Sequence, residues 1–232
     1  MATLRVFVAL IAIGIIGACA TKPGPSGEPP VPEPQVPEPP AVLEGVQPAT
    51  SEPDQNARPA APRGFVWGAG DTLVHPPSGA CFEKEYAGFI RQDSFYQYDA
   101  QGLDVSAEYY WPEHGVLVTL YVYPTYTGPV TEKTLLAEYG RCMAEIYETR
   151  NVTTLLGEES GMYEFDSGTL PGHLAAMVIE EGREYASFLM LFGKNEWYVL
   201  FRISALLEQV QTLSAGSEMT AITGEFDFGA IQ

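Results

Sequence analysis

Residues 64–232 predict an α+β domain, a central antiparallel sheet with helices on both faces, from three observations. Strand-like segments follow one another through short turns, and strands joined that way run antiparallel. Several of these segments are apolar on both alternating faces, which demands a covering layer above and below the sheet. Two segments carry helical spacing instead, a long one at 131–148 and a shorter one at 205–214. Clustered strands and helices without strict alternation belong to the α+β class.

The chain does not begin with that domain. Met1 to Arg5 carries one positive charge, and Val6 to Ile16 is apolar throughout apart from Gly14. Eleven helical residues rise about 16 Å, against the ~30 Å of a bilayer's hydrocarbon core, so this is a signal h-region and not a spanning helix. Ile16-Gly17-Ala18-Cys19 follows: an aliphatic residue, two small residues and a cysteine. It resembles the bacterial lipobox. That resemblance implies a signal peptide over 1–18, cleavage after Ala18, and a diacylglyceryl group on Cys19, with an acyl chain such as palmitate on the freed amine. Two or three chains suffice for stable membrane attachment. Ala20, where an Asp would favour inner-membrane retention, resembles outer-membrane sorting, which would leave the chain facing the periplasm.

Residues 19–63 read as a disordered, proline-rich tether. Thirteen of the 19 prolines lie between Pro23 and Pro62, and Val31 to Pro40 gives one five-residue pattern twice. Proline removes backbone donors and fixes φ, so helix and sheet are both blocked and extended polyproline II is favoured. At ~3.1 Å per residue the stretch could reach about 100 Å from its anchor. Such a sequence could also be a ligand for a proline-recognising domain; a stalk is the plainer reading.

Within the domain, aromatics and strand signals begin at Phe65, Val66-Trp67 followed by Gly68 and Gly70 makes the first docking contact, and Pro76-Pro77-Ser78-Gly79 turns the chain into its first strand. Cys81–Phe89 and Ser94–Tyr98 read as short strands. Val105–Trp111 and Gly115–Tyr123 read as a hairpin, closed by Pro112-Glu113-His114-Gly115 and ended by Pro124. In the long helix Leu135, Leu136, Tyr139, Cys142, Met143, Ile146 and Tyr147 recur at three- and four-residue spacing, which points Cys142 at the core. Gly157 to Gly161 reads as a turn. Met162–Phe165, Leu174–Ile179, Tyr185–Phe192 and Glu196–Ser204 then follow as strands, with tight connections at 180–183 and 193–195. Phe188, Met190 and Phe192 should face one side, Leu189 and Leu191 the other.

The Val116–Tyr123 strand closing on Tyr-Pro, the amphipathic helix after it, and the Trp197–Arg202 strand with its short following helix resemble the Mog1/PsbP-like group. That resemblance implies helices over both faces of the sheet and a role in assembly or accessory binding, mostly without catalysis. It implies no particular binding residues.

The search for chemistry is mostly negative. The formal charge of −18 argues against a nucleic-acid partner, since phosphate binding needs a basic face. From Phe65 onward there are 24 acidic against 8 basic residues, spread along the chain as on a solvated surface. Gly157-Glu158-Glu159-Ser160-Gly161 fails as a nucleophile elbow, because Glu158 stands where the first glycine is required. His75, His114 and His173 stand singly, as loop or strand-end residues. No zinc spacing, calcium loop or cofactor motif occurs, and no cofactor is expected. Glu180, Glu181 and Glu184 flank a turn, and Asn151-Val152-Thr153 matches a glycosylation acceptor that a bacterial envelope protein rarely uses. With Cys19 lipidated, Cys81 and Cys142 are the candidate disulfide pair in an oxidising compartment. Two separate buried thiols are the alternative, and the sequence leaves both open. Tyr109, Tyr110 and Trp111 are consecutive, so their rings must alternate across the sheet. Core packing explains them, and an exposed patch for sugar or protein is the functional option.

The expectation is a membrane-anchored, non-catalytic envelope lipoprotein that binds or helps assemble an envelope protein or cell-wall component. The alternatives are a cell-wall or glycan hydrolase using unrecognised carboxylates, or a small-ligand carrier.

Overall fold

The structure is a computed structural model and describes residues 58–210, 223 and 226–231. Residues 1–18, Cys19 and the tether up to residue 57 lie outside the described residues.

Among the described residues the domain is mostly β. A small sheet comprises β1 (Val66–Trp67), β2 (Leu73–Val74) and β3 (Cys81–Phe82). The main sheet has eight strands: β4 (Glu85–Tyr86), β5 (Phe89–Gln97), β6 (Val105–Trp111), β7 (Val116–Pro124), β8 (Val152–Phe165), β9 (Gly168–Glu180), β10 (Glu184–Lys194) and β11 (Trp197–Leu206). Their spatial order is β4-β5-β6-β7-β11-β10-β9-β8, and every pairing is antiparallel. Helix α1 (Glu132–Thr149) connects β7 to β8, and the single turn α2 (Leu207–Val210) follows β11.

Helix α1 starts where its capping chemistry dictates. The Thr131 hydroxyl accepts from the Thr134 amide while the Thr134 hydroxyl accepts from the Thr131 amide, so two otherwise orphaned donors are satisfied reciprocally. Leu135, Tyr139, Cys142, Met143 and Ile146 are buried against Ala175, Met177, Ile179, Leu189, Leu191, Tyr198 and Leu200. Leu136 and Tyr147, expected in the same stripe, are exposed. A helix lying on a sheet buries a narrower stripe than one packed among helices.

The expectation of an α+β domain with helices on both faces is overturned: the domain is mainly β, with one long helix on one face. The second face of the main sheet is covered by β1–β3, with Phe65, Leu73 and Phe82, and by Phe226, Phe228 and Ile231 near the C-terminus. Strands, aromatic side chains and only the single turn α2, through Leu207 and Val210, stand where the Mog1/PsbP-like resemblance implied a covering helix. The hydrophobic requirement concerns apolar area removed from water and is indifferent to which backbone carries it. The helix expected at 205–214 begins later, because Ala205 and Leu206 still belong to β11; α2 covers only Leu207–Val210, and 211–214 lie outside the described residues.

Two local readings also change. The strand expected over 81–89 is broken: Ala87 (φ 48°) and Gly88 (φ 86°) turn a corner after β4, and β5 begins at Phe89. The turn expected at 157–161 lies within β8, a 14-residue edge strand whose register slips between Val152 and Thr154 and between Leu155 and Gly157. Its glycines mark an irregular edge strand and not a reversal. The hairpin at 112–115 and the alternation along β10 are as expected. Phe188, Met190 and Phe192 enter the core beneath the small sheet, while Leu189 and Leu191 meet α1.

Candidate functional site

Helix α1 covers only part of its face of the main sheet. The period-2 alternation of β5, β6 and β7 sends Phe89, Val105, Ala107, Tyr109, Val116, Val118, Leu120 and Val122 into the opposite core. The residues between them face α1's side: Tyr121 and Tyr123 pack against the core beneath the helix and Tyr123 donates to Glu138, while Ile90, Tyr96, Tyr110 and Leu117 stay exposed. The antiparallel registers line them up in rows across the strands. One row is Ile90, Tyr110, Leu117 and Ser204; the next is Glu108, Thr119 and Arg202; the third is Tyr96, Ser106, Tyr121 and Leu200. Tyr98 and Asp104 extend the face past the third row, tied by the Tyr98 amide donating to the Asp104 carbonyl.

The outcome is an uncovered aromatic face. Tyr98 is 54% exposed, Tyr96 48% and Tyr110 37%, and Ile90 and Leu117 are also exposed. Tyr96 stacks on Tyr98 with centroids 6.3 Å apart, and Tyr98 lies 6.0 Å from Tyr121. Of the three consecutive aromatics, Tyr109 is fully buried and Trp111 packs on Phe89 at 5.0 Å, while Tyr110 joins the open face. The alternation read from the sequence therefore divides them as expected.

Where this face meets the flank of α1 it deepens into an open groove of about 260 Å³. Tyr121, Leu200 and Arg202 come from the sheet, Arg141, Cys142 and Glu145 from the helix, and Tyr98 and Asp104 from the far side. Burial works to raise the Glu138 carboxyl, but hydrogen bonds from Arg141 and Tyr123 outweigh it and hold the group below its ordinary range. Arg141 meets Glu138 at 2.6 Å and Glu145 at 3.3 Å. Arg202 is held more loosely: its contact with Glu145 is 3.6 Å, longer than a hydrogen bond, and it also interacts with the Tyr121 phenol.

Two groove groups are shifted upward. Burial, then the Glu138 charge, pushes the Cys142 thiol up to about 11, so it is protonated at neutral pH. Asp104 is raised from 3.8 to about 6 by burial and then by the Asp99 charge, with Arg141 opposing. A carboxyl whose folded pKa lies above its unfolded value contributes stability below the unfolded pKa and loses it as pH rises through the folded one. Asp104→Asn is therefore expected to match the parent near pH 4 and to exceed it at pH 7.5. The gain is about 1 kcal/mol once solvent screening of this half-exposed group is allowed for. Urea unfolding at the two pH values measures it; equal stabilities at pH 7.5 would contradict the assignment.

The other residues singled out from the sequence lie elsewhere. Cys19 is outside the described residues. Cys81, in the small sheet, and Cys142, under α1, are both free thiols on opposite sides of the main sheet. His75 is a wholly buried loop residue. His114 packs its ring on Trp111 at 4.0 Å. His173, expected in a loop or at a strand end, lies within β9 and stacks on Tyr139 at 5.0 Å. Glu181 pairs with Arg150 at 2.5 Å beside the β9–β10 turn. Ser160 is in β8 opposite His173 and not at a strained elbow. Among the described residues no group of three or more His, Cys, Asp and Glu side chains is placed to hold a metal ion.

Sequence reasoning missed Asp104, Arg202 and the Tyr96–Tyr98–Tyr121 row. The alternation in β6 and β7 was legible, but the registers that align four strands were not. No protein-family model matches the chain, and no curated protein is significantly similar to it.

Proposed function

We propose that this chain is a lipid-anchored protein of the bacterial envelope, attached through Cys19, whose β domain is a non-catalytic module that binds another envelope component. The supporting observation is the open tyrosine face with its groove. A domain that leaves three tyrosines, an isoleucine and a leucine exposed on one contiguous surface has the character of an interaction site. The groove supplies hydrogen-bonding groups at fixed positions, from Tyr98, Asp104, Tyr121, Arg141, Glu145 and Arg202. The Ile16–Cys19 motif supports the attachment, and the proline-rich stretch after it provides reach. Sorting to the outer membrane, facing the periplasm, fits Ala20 following the cysteine.

The anchor is tested by growing cells that express the full chain with radiolabelled palmitate. The parent should take up label and fractionate with membranes, and Cys19→Ser should take up none. An unlabelled parent, or a labelled Cys19→Ser, would overturn the attachment. Crosslinking in cells tests the module: specific partner capture that is lost in Tyr96→Ala/Tyr98→Ala is expected.

A further inference from the structure

We infer that the tyrosine face and its groove bind peptidoglycan, with sugar rings lying on the tyrosines and a carboxylate of the polymer pairing with Arg202. This rests on the envelope-binding reading and names the chemistry of its partner.

The composition of the face argues for a saccharide. Its large groups are mainly tyrosines, which offer a flat apolar ring with a polar tip. Between them stand Glu108, Thr119, Asp104 and Arg202, partly exposed donors and acceptors, while the buried Ser106 hydroxyl is held by the Tyr98 phenol. A sugar ring has apolar C–H faces edged by hydroxyls and amides, and it matches such a surface in both respects. The face is also open and elongated, running from Tyr96 through Tyr98 and Tyr121 into the groove, which suits a polymer better than an enclosed small ligand.

Charge argues for an acidic polymer at this place. From Phe65 onward the chain carries 8 basic against 24 acidic residues, a net of −16, so most of its surface repels an anion. Two of those eight cations, Arg141 and Arg202, line this groove, beside the carboxylates of Asp104 and Glu145. Arg141 is already occupied by Glu138 and Glu145. Arg202, with its side chain a quarter exposed and its carboxylate 3.6 Å away, retains donor capacity for a second carboxylate. Asp104 and Glu145, on the same walls, can accept from sugar hydroxyls. Peptidoglycan supplies both halves of this pattern: amino-sugar rings and carboxylates on its peptide stems.

The test is cosedimentation of the detergent-solubilised full chain with purified sacculi, with sacculi whose stem carboxylates have been amidated, and with chitin as a neutral amino-sugar polymer. The parent should pellet with sacculi and bind amidated sacculi and chitin about tenfold more weakly. Tyr96→Ala/Tyr98→Ala should weaken binding to all three. Arg202→Gln should weaken binding about tenfold to sacculi alone, leaving chitin unchanged. These side chains are exposed or partly exposed, and an unchanged urea midpoint confirms that each variant is folded. A parent that does not pellet with sacculi, or folded variants that pellet as well as the parent, would overturn the inference. If the chain incorporates palmitate and crosslinks an envelope protein through this face yet ignores sacculi, the peptidoglycan assignment fails while the envelope-binding reading stands. If no palmitate is incorporated, the attachment fails whatever the sacculi show.

Discussion

Phe192→Ala is expected to cost about 3–5 kcal/mol, a large share of the roughly 5–15 kcal/mol that holds a typical domain folded. Phe192 is fully buried in β10, between Gly172 of β9 and Val199 of β11. Its ring makes edge contacts with Tyr163 at 5.6 Å, Phe165 at 5.2 Å and Phe228 at 5.6 Å. Removing it therefore loses both the buried area and several aromatic pairs, leaving Phe165 on Phe228 at 4.4 Å as the direct aromatic contact from β8 to the C-terminal aromatics. The local backbone is built around this ring. A Cβ at Gly172 would stand 2.6 Å from Phe192 Cδ1, so glycine is required there for close approach and not for its φ. Urea unfolding with tryptophan fluorescence measures the loss. Phe192→Leu, which keeps most of the volume, should cost clearly less. A Phe192→Ala change below about 1 kcal/mol would mean that this aromatic cluster is not the centre of the core.

His75→Phe is expected to cost about 2–4 kcal/mol at pH 7.5 although it keeps an aromatic ring in place. His75 is fully buried, 5.5 Å from Trp197 and 6.3 Å from Phe65. Its Nε2 lies 2.7 Å from the Gly102 carbonyl, which can only accept, so Nε2 carries the proton and Nδ1 accepts from the Ser78 hydroxyl at 2.7 Å. Ser78 in turn accepts from the Ala80 amide at 3.1 Å. One imidazole thus joins the turn that feeds β3 to the loop between β5 and β6. Phenylalanine would strand the Ser78 hydroxyl and the Gly102 carbonyl in the interior, and each buried orphan costs about 1–3 kcal/mol.

The same residue sets a pH dependence. Burial pushes the His75 pKa below 6.5, against smaller opposing effects of the Gly102 carbonyl and the Asp99 charge. A histidine depressed in the folded state contributes stability above its unfolded pKa and loses it as pH falls through 6.5 toward the folded value. The parent should weaken on acidification, and the gap between parent and His75→Phe should narrow below pH 6.5. A gap constant from pH 5 to 8 would contradict a neutral, buried imidazole. Asp104 acts with opposite sign as pH falls, so each variant must be compared with the parent and not read alone.

The legibility of this protein divides along physical lines. The long helix was legible because its three- and four-residue spacing is local. So was the 116–123 strand, because alternation with period 2 is a property of a few neighbouring residues. The burial of Cys142 and the division of Tyr109 from Tyr110 followed from the same periodicities. Short-range patterning did not reveal that 157–161 continues a strand, because glycines in an irregular edge strand look like glycines in a turn. Nor could it distinguish a covering helix from a covering sheet, since both bury apolar side chains and the short strands β1–β3 have too few residues to show a period.

Apart from Tyr110 and Cys142, the candidate site lies on the second side of that line. Tyr96, Ser106, Tyr121 and Leu200 are more than a hundred residues apart at their extremes and become neighbours only through three antiparallel registers. Register is decided by which faces must be buried across the whole sheet, and a one-residue slip would send these tyrosines into the core. Arg202 meets the groove because β11, paired with β10 on one edge, lies beside β7 on the other. By itself the sequence determined the chain's composition, the alternation of its strands, the stripe of its helix and the Ile16–Cys19 motif, all properties of adjacent residues. Only the tertiary structure decided which faces stay open, because exposure depends on what the rest of the chain leaves uncovered.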